Sequence, residues 1–130
     1  MGSSTGMKCR DCNTQFMWSE GGGFTFHLLH CDQCGAERSV PFEELGAAHT
    51  AWLKGSGGVW SVATAESDRA AVDGFDGEAI SDQQYDQAVS AAAGACSCGG
   101  HFAESVPPTC PSCRSRNVDP DEFGPVVMYD

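Results

Sequence analysis

Eight cysteines in four close pairs constrain this chain more than any other feature of its sequence. The pairs are Cys9-x2-Cys12, Cys31-x2-Cys34, Cys96-x-Cys98 and Cys110-x2-Cys113. A tight turn between two cysteines aims both sulfurs the same way, so each pair supplies half of a tetrahedral ligand shell and two facing pairs complete it. An insert of 18 residues separates the first two pairs and one of 11 residues the last two. Either insert can form a hairpin that holds its flanking pairs face to face. The spacing therefore predicts two sequence-local metal sites, Cys9/Cys12/Cys31/Cys34 and Cys96/Cys98/Cys110/Cys113. Sites built from one pair of each region would require the two ends of the chain to meet.

An even count of cysteines also permits disulfides. The opening MGSSTGMKCRDC lacks a basic segment followed by an apolar one, so no secretory address is visible. No apolar run approaches the about 18 residues of a membrane span. The expected compartment is the reducing cytoplasm, where clustered cysteines serve as metal ligands or redox groups. A thioredoxin-type pair would follow a strand within a βαβ pattern, and none surrounds these cysteines. MGSSTG itself resembles an added leader, with Met7 as the alternative start.

The flanking residues agree with metal turns. The residue after the second cysteine of such a turn often takes a left-handed backbone. Gly35 and Gly99 supply that conformation, Asn13 tolerates it, and Arg114 departs from the pattern. Cys-x2-Cys … Cys-x2-Cys-Gly resembles a zinc ribbon. Cys96-Ser-Cys98-Gly-Gly … Cys110-Pro-Ser-Cys113 is similar to a zinc-ribbon or rubredoxin-like knuckle pair, with a tighter first turn. The resemblance covers about 30 and about 20 residues and implies zinc, or iron in its place, rather than any one activity. It leads to a small α+β, metal-stabilised protein: two zinc ribbons of short antiparallel strands joined by a helical acidic spacer. The ribbons would span 7–40 and 95–118, the spacer 41–94, and an acidic tail 119–130.

Phe24–His30 and Ala36–Val40 read as strands, as do Val59–Ala63 and His101–Val106. Helical spacing of Phe42, Leu45, Ala48, Ala51, Trp52 and Leu53 predicts a helix that Gly55–Gly58 ends. Residues 66–80 are acidic and contain glycines, and read as loop. Ser81 and Gln84 form a capping box for a helix over 82–93.

The net charge is −11 and unevenly placed. The two cysteine regions carry −1 and +1, the spacer −7 and the tail −4. Phosphate backbones prefer basic surfaces, so this distribution disfavours nucleic acid and favours a protein partner with a basic surface. His30 and His101 lie near cysteines, yet each set already has four ligands, so both histidines read as strand or surface residues. Trp18, Phe24, Phe26, Trp52, Trp60 and Phe102 read as core. The acidic residues from Asp68 to Asp86 lack calcium-loop spacing and read as a solvated face. No nucleophile elbow, phosphate loop or metalloprotease motif is present. Two closed four-cysteine sites leave no open metal position, so no enzyme is expected. The resulting expectation is a non-catalytic zinc-binding adaptor with two zinc ions. The alternatives are a nucleic-acid-associated ribbon factor using Lys8, Arg10, Arg38, Arg114 and Arg116, and a rubredoxin-like iron electron carrier.

Overall fold

Both N-terminal cysteine pairs form the turns of β-hairpins. In the computed structural model, which describes residues 2–122 and 124–130, strand β1 (Gly2–Cys9) runs into the first pair. Strand β2 (Gln15–Glu20) returns antiparallel to it, with Met7 opposite Phe16. Strand β3 (Phe26–Cys31) runs into the second pair, and β4 (Glu37–Pro41) returns with Leu28 opposite Ser39. Met1, part of the suggested leader, and Phe123, in the acidic tail, lie outside the described residues. Gly2–Gly6 of that leader is built into β1.

A break at Gly21–Gly23 separates the hairpins, and β2 and β3 lie in different sheets. The first sheet has the order β2-β1-β6, where β6 is Val118–Pro120 and Cys9 lies opposite Val118. Strand β7 (Val126–Tyr129) also pairs with β1, with Gly2 opposite Tyr129. The chain's two ends thus share one sheet. The second sheet has the order β4-β3-β5, where β5 is Phe102–Ala103 and Cys31 lies opposite Phe102.

The interval between the sheets' strands is helical. Helix α1 (Phe42–Leu45) and helix α2 (Ala47–Gly55) form in place of the one helix predicted there. Gly46, with φ of 55°, turns the chain between them. Helix α4 (Asp82–Ala93) has the predicted bounds, and both hydrogen bonds of the Ser81–Gln84 capping box are present. Between these lies α3 (Ala65–Asp73), where a loop was expected. It buries no residue and so carries no apolar stripe to read, but Glu66 and Asp68 complement its N-terminal dipole. The strand expected over Val59–Ala63 is a turn instead. Ser61 and Thr64 exchange side-chain and backbone hydrogen bonds there, which compete with a strand ladder.

Leu29 and Val40 of the second sheet pack against Leu45, Tyr85, Val89 and Ala93 in one buried cluster. Phe42, Trp52, Ile80 and Phe102 close around it. The helices thus build their core on the β3–β4 hairpin. The whole is a small α+β protein of antiparallel sheets and, among the described residues, four short helices. No helix among them is long and apolar enough to cross a membrane.

Candidate metal centres

The eight cysteines converge into two sets of four, but not the two that sequence proximity suggested. Cys9 and Cys12 meet Cys110 and Cys113, while Cys31 and Cys34 meet Cys96 and Cys98. The expected grouping 9/12/31/34 with 96/98/110/113 is therefore corrected to a nested one. The reason is strand pairing. A sequence-local site would need β2 and β3 paired to bring the first two turns together. Instead each strand pairs within its own hairpin. Pairing of β1 with β6 carries the fourth turn to the first, and pairing of β3 with β5 carries the third turn to the second. The helices 42–93 consequently lie inside the chain loop that closes the inner set.

All four turns share one hydrogen-bond plan. In the first, Cys9 N–H donates to the Thr14 carbonyl (2.9 Å) and Asn13 N–H donates back to the Cys9 carbonyl (3.0 Å). The second repeats this with Cys31 to Ala36 (2.8 Å) and Gly35 to Cys31 (3.0 Å). The fourth does so with Cys110 to Ser115 (2.8 Å) and Arg114 to Cys110 (2.9 Å). The tight third turn keeps the plan one residue shorter, with Cys96 to Gly100 (3.0 Å) and Gly99 to Cys96 (2.9 Å). In every turn the first cysteine is buried and the second is more exposed.

The residue after each second cysteine is left-handed: φ is 62° at Asn13, 75° at Gly35, 93° at Gly99 and 61° at Arg114. Arg114 thus obeys the pattern despite its side chain. A left-handed non-glycine residue costs about 1–2 kcal/mol, and glycine's extra unfolded freedom returns about 0.5–1 kcal/mol of that. Arg114→Gly should therefore raise stability by up to about 1 kcal/mol in urea unfolding of the metal-loaded protein. A loss of stability would show that the arginine side chain contributes a contact worth more than the strain.

The turns are also tied across each set. Arg10 N–H donates to the Asn117 carbonyl (2.9 Å), and Asp11 accepts from Ser115 Oγ and from Asn117 Nδ2 (3.1 Å). These bonds, Ser115 first, hold the Asp11 carboxyl below its ordinary range. In the inner set Asp32 N–H donates to the His101 carbonyl (2.8 Å), while Asp32 Oδ1 accepts from His101 N–H (2.9 Å). An added methyl on Gly100 would lie 2.5 Å from Cys31 Sγ, so this glycine lets the third turn approach the sulfur. Arg116 Nη2 donates to the Asp32 carbonyl (2.7 Å) and links the outer set to the inner.

The sulfurs fit a tetrahedral thiolate site. Cross-turn Sγ separations are 3.6 Å for Cys9–Cys113, 3.5 Å for Cys12–Cys110, 3.4 Å for Cys31–Cys98 and 3.7 Å for Cys34–Cys96. A tetrahedron with metal–sulfur bonds of about 2.3 Å has edges of about 3.8 Å. A disulfide needs about 2.05 Å, which none of these pairs approaches. Each set could therefore hold one metal ion.

The electrostatics point the same way. Cys12 is pulled down to about 6, chiefly by the Thr14 hydroxyl 3.1 Å from its sulfur. Cys31 falls to about 6 although burial, its largest single influence, opposes this; the N–H groups of Cys34 and Gln33 and the Cys98 and Cys96 sulfurs together outweigh it. Cys113 rises to about 12 against a favourable Ser115 N–H, because burial and the neighbouring sulfurs resist its ionisation. Cys98 rises likewise to about 12 despite the Gly100 N–H, with the Cys31 sulfur the main opponent. Four adjacent sulfurs cannot all shed protons without a cation among them, and a bound metal ion removes that conflict.

No histidine joins either set. His30 is buried and stacks on Trp18 at 4.0 Å, and His101 is exposed. Trp18 is core, while Trp52 and Trp60 are half-buried partners in an aromatic group with Phe42, His27, His49 and Tyr85. Sequence reading missed that group's polar centre: Tyr85 Oη lies 2.6 Å from His27 Nε2 and 2.9 Å from His49 Nδ1. Nothing in the spacing of these three residues signals the contact.

A family model described as a domain of unknown function (DUF8255) matches residues 5–119, an interval that contains all eight cysteines. No curated protein and no solved structure matches the chain.

Proposed function

The chain belongs to the DUF8255 family, and we propose that it is a non-catalytic, cytoplasmic adaptor whose two zinc ions are structural and which acts through contacts with a basic protein surface. The closure of both cysteine sets carries this reading. Four thiolates on one zinc fill its tetrahedron and leave no position for substrate or water, so the metal's contribution is to folding. Two such centres add negative charge to a chain already at −11.

The acidic balance supports steering toward a positive partner. Three of the five basic residues near the turns are engaged internally, which weighs against their serving nucleic acid. Arg10 pairs with Asp119, Arg38 with Glu44 (3.1 Å), and Arg116 with a backbone carbonyl. Elemental analysis should give two zinc ions per chain in a colourless protein, and a red protein with thiolate-to-iron absorption would replace the adaptor with an electron carrier. The loaded protein should be retained on an immobilised basic protein and released by salt, with no salt-dependent retention on DNA or RNA. Retention on nucleic acid alone would overturn the proposal.

A further inference from the structure

The His27–Tyr85–His49 chain ends in an open hollow whose charged groups are carboxylates and which contains no cationic side chain among the described residues. The hollow has a volume of about 410 Å³, and its lining includes Phe24, Phe42, Glu43, His49 and Asp68 together with the hydroxyls of Thr25, Thr64 and Ser67. His49 is only 8% exposed. Its Nδ1 is committed to Tyr85, so Nε2 is the nitrogen left for the hollow.

The hydrogen-bond chemistry assigns the protons along this chain. A tyrosine hydroxyl donates once, so it can serve only one of the two histidines, and the other must donate to it. His27 Nδ1 faces the Glu104 carboxylate at 3.5 Å, where a proton on Nδ1 is attracted and a lone pair is repelled. His27 therefore carries its proton on Nδ1, and its Nε2 receives the Tyr85 hydroxyl at 2.6 Å. His49 must then donate Nδ1–H to Tyr85, which leaves Nε2 as a bare lone pair. The opposite arrangement would set the Nδ1 lone pair of His27 against a carboxylate.

The other groups at the hollow carry the same sign. Asp68 Oδ2 already accepts from Trp60 N–H (2.8 Å) and Thr64 Oγ (2.7 Å), which leaves Oδ1 free. The Ser67 hydroxyl gives its hydrogen to the Thr64 carbonyl (2.9 Å). Glu43 has no basic partner among the described residues. The lining includes no lysine or arginine. The ligand atoms of His49, Asp68 and Glu43 do not converge as those of the cysteine sets do, so the arrangement does not suit a metal ion. What it suits is a positively charged ligand with several donors and a flat face for the phenylalanines.

We propose that this hollow binds the guanidinium group of an arginine side chain presented by a protein partner. A guanidinium offers several donors in a plane, matches acceptors spread around an opening, and stacks on aromatic rings better than an ammonium does. The choice of a protein as its source rests on the adaptor reading above; the recognition of a guanidinium does not.

The test is NMR titration of the full, metal-loaded chain, following the His49 ring nitrogens. The probes are a blocked Gly-Gly-Arg-Gly-Gly peptide, its citrulline counterpart and methylguanidinium. The arginine peptide should shift the Nε2 signal saturably, and the neutral citrulline peptide should not. Glu43→Gln and Asp68→Asn should each weaken the arginine peptide by about two- to fivefold, as expected for partly exposed charge pairs. Glu43 is exposed, so its variant tests the site without disturbing the fold. Absence of a saturable shift, an equal response to citrulline, or unchanged binding by both variants would overturn the guanidinium site. Tighter binding of methylguanidinium than of the peptide would overturn the assignment to a polypeptide. Loss of basic-protein binding with the peptide response intact would instead remove the adaptor reading alone.

Discussion

Replacing Cys9 and Cys110 together by serine is expected to leave one tightly bound metal ion per chain, whereas replacing Cys9 and Cys31 together should leave none. The nested arrangement places Cys9 and Cys110 in the same set and Cys9 and Cys31 in different sets. Sequence-local sites would give the reverse stoichiometry, so native mass spectrometry of the two double variants decides between them. The consequences for folding differ as sharply. Structural zinc sites contribute about 10–16 kcal/mol of apparent binding energy, comparable with the whole stability of a small domain at about 5–15 kcal/mol. With both sets broken the chain should lose its cooperative melt and its helical circular dichroism. With only the outer set broken, the inner set still anchors the β3–β4 hairpin on which Leu29, Val40, Tyr85 and Val89 pack, so helical signal should persist. Loss of all helical signal in Cys9→Ser/Cys110→Ser would mean that the outer set also holds the helical core.

The candidate ligands were legible in the sequence because a two-sulfur turn is a local object. Its spacing, its left-handed exit residue and its strand-forming flanks all lie within a few residues. The pairing of turns was not legible in the same way, because it depends on which strands meet across the whole chain. A usable signal was nevertheless present. Strand-forming residues flank each N-terminal pair on both sides, Met7 with Phe16–Trp18 and Phe26–His30 with Ala36–Val40. Such flanks make each pair a hairpin turn in its own right and leave no strand free to join the first turn to the second. Helix α4 was readable from Ser81, Gln84 and a face of Tyr85, Val89 and Ala92, whereas α3 was not, since it buries nothing and its acidic residues resemble those of a loop. Arg114 shows the limit of residue preference: its left-handed backbone is imposed by the bond from its N–H to Cys110, and the side chain follows.

Acidification from pH 6.5 to 4 should destabilise the protein through His27 by up to about 3 kcal/mol. Burial, and secondarily the proximity of His49, depress the His27 pKa from 6.5 to about 4. The unfolded chain therefore binds this proton first. Stability is fully present above the unfolded pKa, falls as pH drops from 6.5 toward 4, and levels off once the folded ring also protonates. His30 and His49 are lowered by burial as well and add to the loss in the same direction. Protons also compete with the metal for thiolates, so urea unfolding must be followed with metal in excess and bound metal measured at each pH. Tyr85→Phe separates the contributions. It strips the hydroxyl from two buried histidine nitrogens, 2.6 and 2.9 Å away, at a cost of about 1–3 kcal/mol at neutral pH. It should also make His27 easier to protonate, because its Nε2 loses the hydroxyl that donates to the neutral ring. The variant should then start lower and lose less between pH 6.5 and 4 than the parent. Parallel profiles for the two proteins would show that the acid lability arises from the cysteine sets and not from the buried histidines.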